Sequence, residues 1–206
     1  MSLRDCDLII LDDFIYPTQA NSIERNMINA KSVGVRMRDD DSNFSWYHHG
    51  EVISSDCEEK DTPKKYQYMF VHSFFETNLG IITDKTNWNL IQPIIEKLGV
   101  GQCLRIKANL YPNTEKIYTH GFHMDLPYTQ VLSAIYFVNS NDGYTYFKTQ
   151  DDKSLIKVES KKNRLVVFPN GLLHSGTTCT DEGVRVVINF NYLCTPNHPH
   201  YKHYYG

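Results

Sequence analysis

His123 and Asp125 stand two apart in Thr119-His120-Gly121-Phe122-His123-Met124-Asp125, and His174 follows in Phe168-Pro169-Asn170-Gly171-Leu172-Leu173-His174. On a strand, side chains two apart project from one face, so an imidazole and a carboxylate would stand side by side. Two histidines and one carboxylate form the facial triad that holds non-haem Fe(II) and leaves coordination positions open. Arg185 then appears within Gly183-Val184-Arg185-Val186-Val187-Ile188-Asn189-Phe190-Asn191-Tyr192. An arginine in an otherwise apolar strand calls for an anion, and a guanidinium matches a carboxylate in shape. Singly, each signal has a plainer reading: a surface pair at a strand end, a solvated loop histidine, one half of a buried ion pair. Their order along the chain favours the chemical reading. His120 lies near His123 but lacks the two-residue offset to a carboxylate.

The elements that would position these groups follow from periodicity. From Cys103 onward, short apolar runs read as strands over about 103–111, 117–125, 131–139, 144–148, 154–158, 164–168 and 184–193. Turn signals at Pro112-Asn113, Leu126-Pro127, Asn141-Asp142-Gly143 and Pro169-Asn170-Gly171 separate them. Many short, punctuated strands favour a jelly roll with flanking helices over an α/β sheet. Parity in the last strand would turn Arg185, Val187, Asn189 and Asn191 inward, and Val184, Val186, Ile188 and Phe190 towards covering helices. Asn189 and Asn191 are then either pocket residues or buried amides satisfying backbone.

Upstream, Leu8 to Ile15 reads as a strand. Ile23, Met27 and Ile28 place a helix over about 18–31, and Trp88 to Leu98 place another over about 84–98, with Pro93 inside it. Tyr66 to Phe75 alternates as a strand, although its aromatic density also fits a buried helix turn. The stretch from about 37 to 65 is charge-rich and aperiodic, yet carries Trp46 and Tyr47. It reads either as a solvated excursion with a hairpin or as a mobile lid whose two aromatics meet substrate. The His- and Tyr-rich end, 194–206, reads as a surface tail.

Composition sets the frame. The 206 residues, 41% hydrophobic, suffice for one core, and one domain is expected. A net charge of -3 gives no global reason to expect nucleic acid or an anionic membrane as partner. No apolar run reaches transmembrane length, and Met1 to Cys6 lacks a secretory apolar region. Five widely spaced cysteines without a Cys-x-x-Cys pair read as reduced thiols, so a cytoplasmic location is expected.

The segment from about Cys103 to Leu193 resembles the double-stranded β-helix core of the 2-oxoglutarate- and Fe(II)-dependent oxygenases. It is most similar to the prolyl 4-hydroxylase-like branch, which includes short bacterial and phage forms. The matching pieces are Leu110-Tyr111-Pro112-Asn113, His123-x-Asp125, Ile135 to Asn139, Asp142-Gly143-Tyr144-Thr145-Tyr146-Phe147, Arg164 to Phe168, His174 and Arg185. The family's Gly-Gly is Asp142-Gly143 here, and Phe137 stands where some relatives carry a tyrosine.

The resemblance implies one oxygenase domain over 1–206: helical support and lid in 1–102, β-helix core in 103–193, and a tail. It implies Fe(II) on His123, Asp125 and His174, with no catalytic side chain beyond the metal centre. The cosubstrates would be 2-oxoglutarate and O2, with ascorbate as an accessory reductant. Arg185 would pin the far carboxylate of 2-oxoglutarate, with Tyr111, Thr145 and Asn189 around it. Trp46, Tyr47 and Asn191 are candidate substrate residues. The implied reaction hydroxylates an unactivated C–H bond and releases succinate and CO2. A prolyl residue in a peptide or protein is the leading substrate. A free amino acid or other small metabolite is the alternative, and a non-catalytic jelly-roll binding module is the competing class.

Overall fold

The alternating C-terminal half folds into strands, in a computed structural model that describes residues 8–28, 44–50, 62–128, 130–149 and 154–205. The first half supplies β1 (Ile9–Leu11), α1 (Pro17–Met27), β2 (Tyr47–His49), β3 (Met69–Glu76), β4 (Gly80–Ile81) and α2 (Lys85–Leu98). The second supplies β5 (Val100–Pro112), β6 (Leu132–Phe137), β7 (Tyr144–Lys148), β8 (Leu155–Glu159), β9 (Arg164–Pro169), β10 (His174–Gly176), β11 (Val184–Cys194) and α3 (Pro199–Tyr205).

The large antiparallel sheet runs β1-β9-β6-β11-β5-β3-β2, with β4 added on β3, and the small sheet runs β10-β7-β8. From β6 to β11 the chain passes large, small, small, large, small, large. That alternation between two facing sheets is the winding of a double-stranded β-helix. β1 and β3, from the first hundred residues, complete the large sheet, so the sheet is not confined to 103–193.

Two apolar layers lie on either side of the large sheet. The outer face packs Val186, Ile188, Phe190 and Tyr192 of β11 against Ile23 and Met27 of α1 and Ile91, Ile94 and Leu98 of α2. Fully burying one such aliphatic side chain contributes about 1.5–3 kcal/mol. α2 starts where the Asp84 carboxylate accepts the Asn87 N–H at 2.9 Å and ends at Gly99, whose φ of 69° is the left-handed cap that glycine favours. Pro93 is accommodated inside α2. The inner face joins Ile135, Phe137, Phe168 and Val187 to Phe147 and Val158 of the small sheet. The parity expected for β11 is the one observed.

Three expectations need correction. No strand covers 117–125; the segment makes isolated bridges, Thr119 to Thr177 and His123 to His174. Side chains hold this part instead: the Tyr118 N–H donates to Thr178 Oγ1, and the Asn170 amide spans Leu126 N, Leu126 O and Tyr128 O. The turn read at Pro169-Asn170-Gly171 is followed by the short strand β10, which was not among the expected strands and carries His174. The residues read as a tail form α3, whose Tyr204 and Tyr205 hydroxyls donate to the Val167 and Val131 carbonyls.

Candidate metal centre

His123, Asp125 and His174 converge although they come from different kinds of segment, an irregular crossing and β10. One ligand atom from each lies within 4.8 Å of the others. The bridge between His123 and His174, N–H to O in both directions at 3.0 and 3.1 Å, fixes their backbones opposite one another. Their ring centroids are 4.6 Å apart.

Each ring is oriented by its own loop. His123 Nδ1 lies 3.2 Å from the Gly121 carbonyl, and His174 Nδ1 lies 3.2 Å from the Leu172 carbonyl. A carbonyl can only accept, so the proton sits on Nδ1 and Nε2 is left as a lone pair. His174 Nε2 is buried without a hydrogen-bond partner and is 4.0 Å from Asp125 Oδ2. Burial, helped by the His174 ring, pushes His123 down to about 4, so its ring stays neutral near pH 7.

Asp125 is held on both oxygens. Arg105 Nη2 donates to Oδ1 at 2.7 Å, and Asn191 Nδ2 donates to Oδ2 at 3.0 Å. Arg105 Nε in turn donates to Asn191 Oδ1 at 3.0 Å, closing the group. Burial works to raise the Asp125 carboxyl, but His174, Arg105 and the Asn191 amide outweigh it and bring it down to about 2. The carboxylate is therefore ionised and aimed. This donor set, two imidazoles and one anchored carboxylate, fits a first-row divalent ion.

The triad opens into a cavity of about 260 Å³ between the sheets, lined also by Arg185, Tyr111, Thr145 and Asn189. Arg185 is 1% exposed, donates through Nε to Ser160 Oγ and through Nη2 to Thr145 Oγ1, both at 2.9 Å, and meets no carboxylate among the described residues. Two glycines give it room. A Cβ on Gly143 would stand 2.6 Å from the Thr178 carbonyl and 2.8 Å from Arg185 Cδ, and one on Gly176 would face Arg185 Nη1 at 3.4 Å.

The structure separates the remaining candidates. Asn191 reaches Asp125 rather than open cavity, so it orients a ligand. Trp46 packs on the helix side, its indole N–H donating to the Met27 carbonyl at 3.1 Å and its ring 5.0 Å from Phe44. That corrects its reading as a substrate cover. Tyr47 pairs with Val71, which pairs with Asn109, so it lies on the cavity face at the sheet edge, 63% exposed. Most of the expected lid, 37–65, lies outside the described residues. His120 is buried away from the triad, stacked on Tyr111 with 5.1 Å between centroids, its Nδ1 on Thr62 Oγ1. Burial pushes it down to about 3. Sequence reasoning missed Arg105, Lys107 and Asn109. Their signal was the alternation of β5, whose polar positions pair with Asn191, Asn189 and Val187 of β11.

No protein-family model matches the sequence, and neither does any curated protein. Solved structures do. A 2OG-Fe(II) oxygenase-family oxidoreductase from Burkholderia pseudomallei aligns with a TM-score of 0.61 at 10% identity, over 90% of this chain and 84% of that one. The chain has the fold of these oxygenases. A prolyl hydroxylase from Trichoplax adhaerens, in complex with a hypoxia inducible factor peptide fragment, aligns at 0.57 and 13% identity, over 90% and 83% of the two chains. The α-ketoglutarate-dependent epimerase SnoN of nogalamycin biosynthesis aligns at 0.59 and 12%, over 93% and 78%. No helix among the described residues is long and apolar enough to cross a membrane.

Proposed function

We propose that the protein is an Fe(II)- and 2-oxoglutarate-dependent oxygenase that hydroxylates an unactivated C–H bond. One observation carries the reading: a single cavity joins two imidazoles, an anchored carboxylate, and a buried guanidinium that meets no carboxylate among the described residues. His123, Asp125 and His174 would hold the metal. When bound, it supplies O2-dependent oxidation coupled to decarboxylation of 2-oxoglutarate.

The side chains bind and orient. Arg185 takes the far carboxylate, with Thr145 and Ser160 fixing its fork, and Tyr111 and Asn189 line the path to the triad. The apolar inner face, with Ile135, Phe137 and Val187, limits water around the reacting groups. A prolyl residue in a peptide or protein is the substrate class from which the reading starts, supported by the fold likeness to a prolyl hydroxylase bound to a peptide. A free amino acid or small metabolite is the second reading, supported by a comparable likeness to SnoN.

The test is succinate release from 2-oxoglutarate under air with Fe(II) and ascorbate, alongside a mass-shift screen of proline-containing peptides and N-acyl amino acids. A gain of one oxygen with matched succinate supports the reading. Succinate at the no-enzyme rate with every candidate rejects it in favour of a binding module.

A further inference from the structure

The cavity holds one cation that the oxygenase reading does not use. Lys107 of β5 lines it, half-buried, and no hydrogen bond or carboxylate partner engages its ammonium among the described residues. The other cations are committed: Arg105 to Asp125 and Asn191, Arg185 to Ser160 and Thr145. A cation half-shielded from water at a cavity wall, without a protein partner, is a position where a ligand can supply the counter-charge.

Register places Lys107 at the triad end. On β5, Tyr111 is opposite Arg185, Lys107 is opposite Asn189, and Arg105 is opposite Asn191. Four residues of strand, about 13 Å, separate the Tyr111 level from Lys107, and two residues, about 7 Å, separate Lys107 from the Arg105 that grips Asp125. The carboxylate pinned at Arg185 is therefore at a different level from Lys107. Charge counting agrees. Arg105, Lys107 and Arg185 against Asp125 leave the cavity two positive charges in excess, and a divalent metal with a dianionic cosubstrate leaves that excess unchanged. Glu76, paired with Arg105 in register, is the other carboxylate whose field reaches Lys107, and its influence is weaker than that of Asp125.

Two acceptors flank the lysine. Asn109 and Asn189, 4% and 7% exposed, line the same cavity with Oδ1 atoms that have no hydrogen-bond partner. Buried amide oxygens left bare in a polar cavity are positions for a ligand's N–H or O–H.

We propose that Lys107 is a specificity-determining residue that receives an anionic group, carboxylate or phosphate, carried by the substrate, while Asn109 and Asn189 accept its N–H or O–H groups. The inference rests on the oxygenase reading and narrows its substrate to an anion held beside the reacting carbon. An N-acylated amino acid or a chain-terminal prolyl carboxylate has this chemistry, whereas an uncharged internal peptide segment does not.

The test titrates N-acetylproline, N-acetylproline amide and inorganic phosphate into the Zn(II)·2-oxoglutarate protein, followed by NMR shifts of cavity residues. The expected result is that acid or phosphate binds at least tenfold more tightly than the amide. Lys107→Met should lose that preference, Lys107→Arg should restore part of it, and 2-oxoglutarate affinity should be equal in all three proteins. Thermal melts of each variant show that the fold is kept. Acid and phosphate binding no better than the amide, including no binding by any probe, overturns the proposal. A preference that survives Lys107→Met also overturns it. A loss of 2-oxoglutarate affinity in Lys107→Met equal to the loss for the probes reassigns the lysine to the cosubstrate and overturns its substrate role. Failure of 2-oxoglutarate to bind the wild-type protein would instead reject the oxygenase reading, leaving the acid and amide comparison to report separately on Lys107.

Discussion

Replacing Arg185 with methionine should separate binding from stability. The guanidinium is 1% exposed and has two hydroxyl acceptors, Ser160 Oγ and Thr145 Oγ1, but no carboxylate. With 2-oxoglutarate bound it becomes half of a buried ion pair, and removing one partner of such a pair costs about 3–5 kcal/mol. At about 1.4 kcal/mol per tenfold, affinity should fall by roughly 10²-fold to a few thousandfold. Stability of the ligand-free protein should move far less. Exchanging a buried charge for an apolar side chain is neutral to stabilising by about 1–4 kcal/mol, while two stranded hydroxyls lose about 1–3 kcal/mol each. These oppose one another; mid-range values of about 2.5 and about 4 kcal/mol leave a net loss of about 1.5 kcal/mol, and at about 2–4 °C per kcal/mol for a domain of this size the Tm should fall by about 3–6 °C. Calorimetric titration of 2-oxoglutarate into Zn(II)-loaded wild-type and Arg185→Met protein reads the first quantity, and a thermal melt reads the second. Undiminished 2-oxoglutarate affinity in a folded variant would refute the role given to Arg185.

Other variants probe the supports of the site. Trp46→Ala should destabilise the fold by about 2–3 kcal/mol, because it removes a ring packed beside Phe44 and a hydrogen bond to Met27, and should leave substrate KM unchanged; a KM effect without a shift in the melt would restore the lid reading. Asn191→Leu frees one Asp125 oxygen and should weaken metal binding about 10–100-fold with the fold intact, checked by competition with a chelating dye. Asp12 joins β1 to β9 through Arg164 and Lys161, whose hydrogen bonds hold its carboxyl down at about 2. A depressed carboxyl stabilises the fold above its unfolded value of 3.8, and that contribution is lost as pH falls towards about 2. Asp12 is more than a third exposed, so solvent screening limits the effect to below about 1 kcal/mol. Asp12→Asn should therefore lower the urea midpoint slightly at pH 7 and not at all near pH 2; an equal loss at both would exclude the ion pair as its cause.

How much of this was legible in the sequence depended on the range of the forces involved. β11 was readable because its two faces meet different surroundings: Val186, Ile188 and Phe190 meet helices, while Arg185, Val187 and Asn189 meet the cavity. The triad was readable from residue types and order, but for a partly mistaken reason. His123 and Asp125 do not share a strand; their crossing is held by Asn170, Thr178 and the bridge to His174, contacts between residues some fifty positions apart that no local period encodes. Trp46 and Tyr47 part ways because Trp46, just before β2, packs against the helix-side core, while Tyr47 on β2 stays exposed at the rim. Arg105 and Lys107 went unread because a charged residue on a strand looks solvated until its register partner is known, and only pairing with β11 turns them to Asp125 and the cavity.

The metal centre itself can be measured directly by anaerobic calorimetric titration of Fe(II) into the wild-type protein and into His174→Ala. His123, Asp125 and His174 offer one set of converging ligands, so the wild-type protein should bind one Fe(II) per chain. His174→Ala should bind it at least about 100-fold more weakly, and 2-oxoglutarate should bind tightly only where the metal does. Equal Fe(II) affinity and stoichiometry in the two proteins would contradict the assignment of the triad as the metal centre.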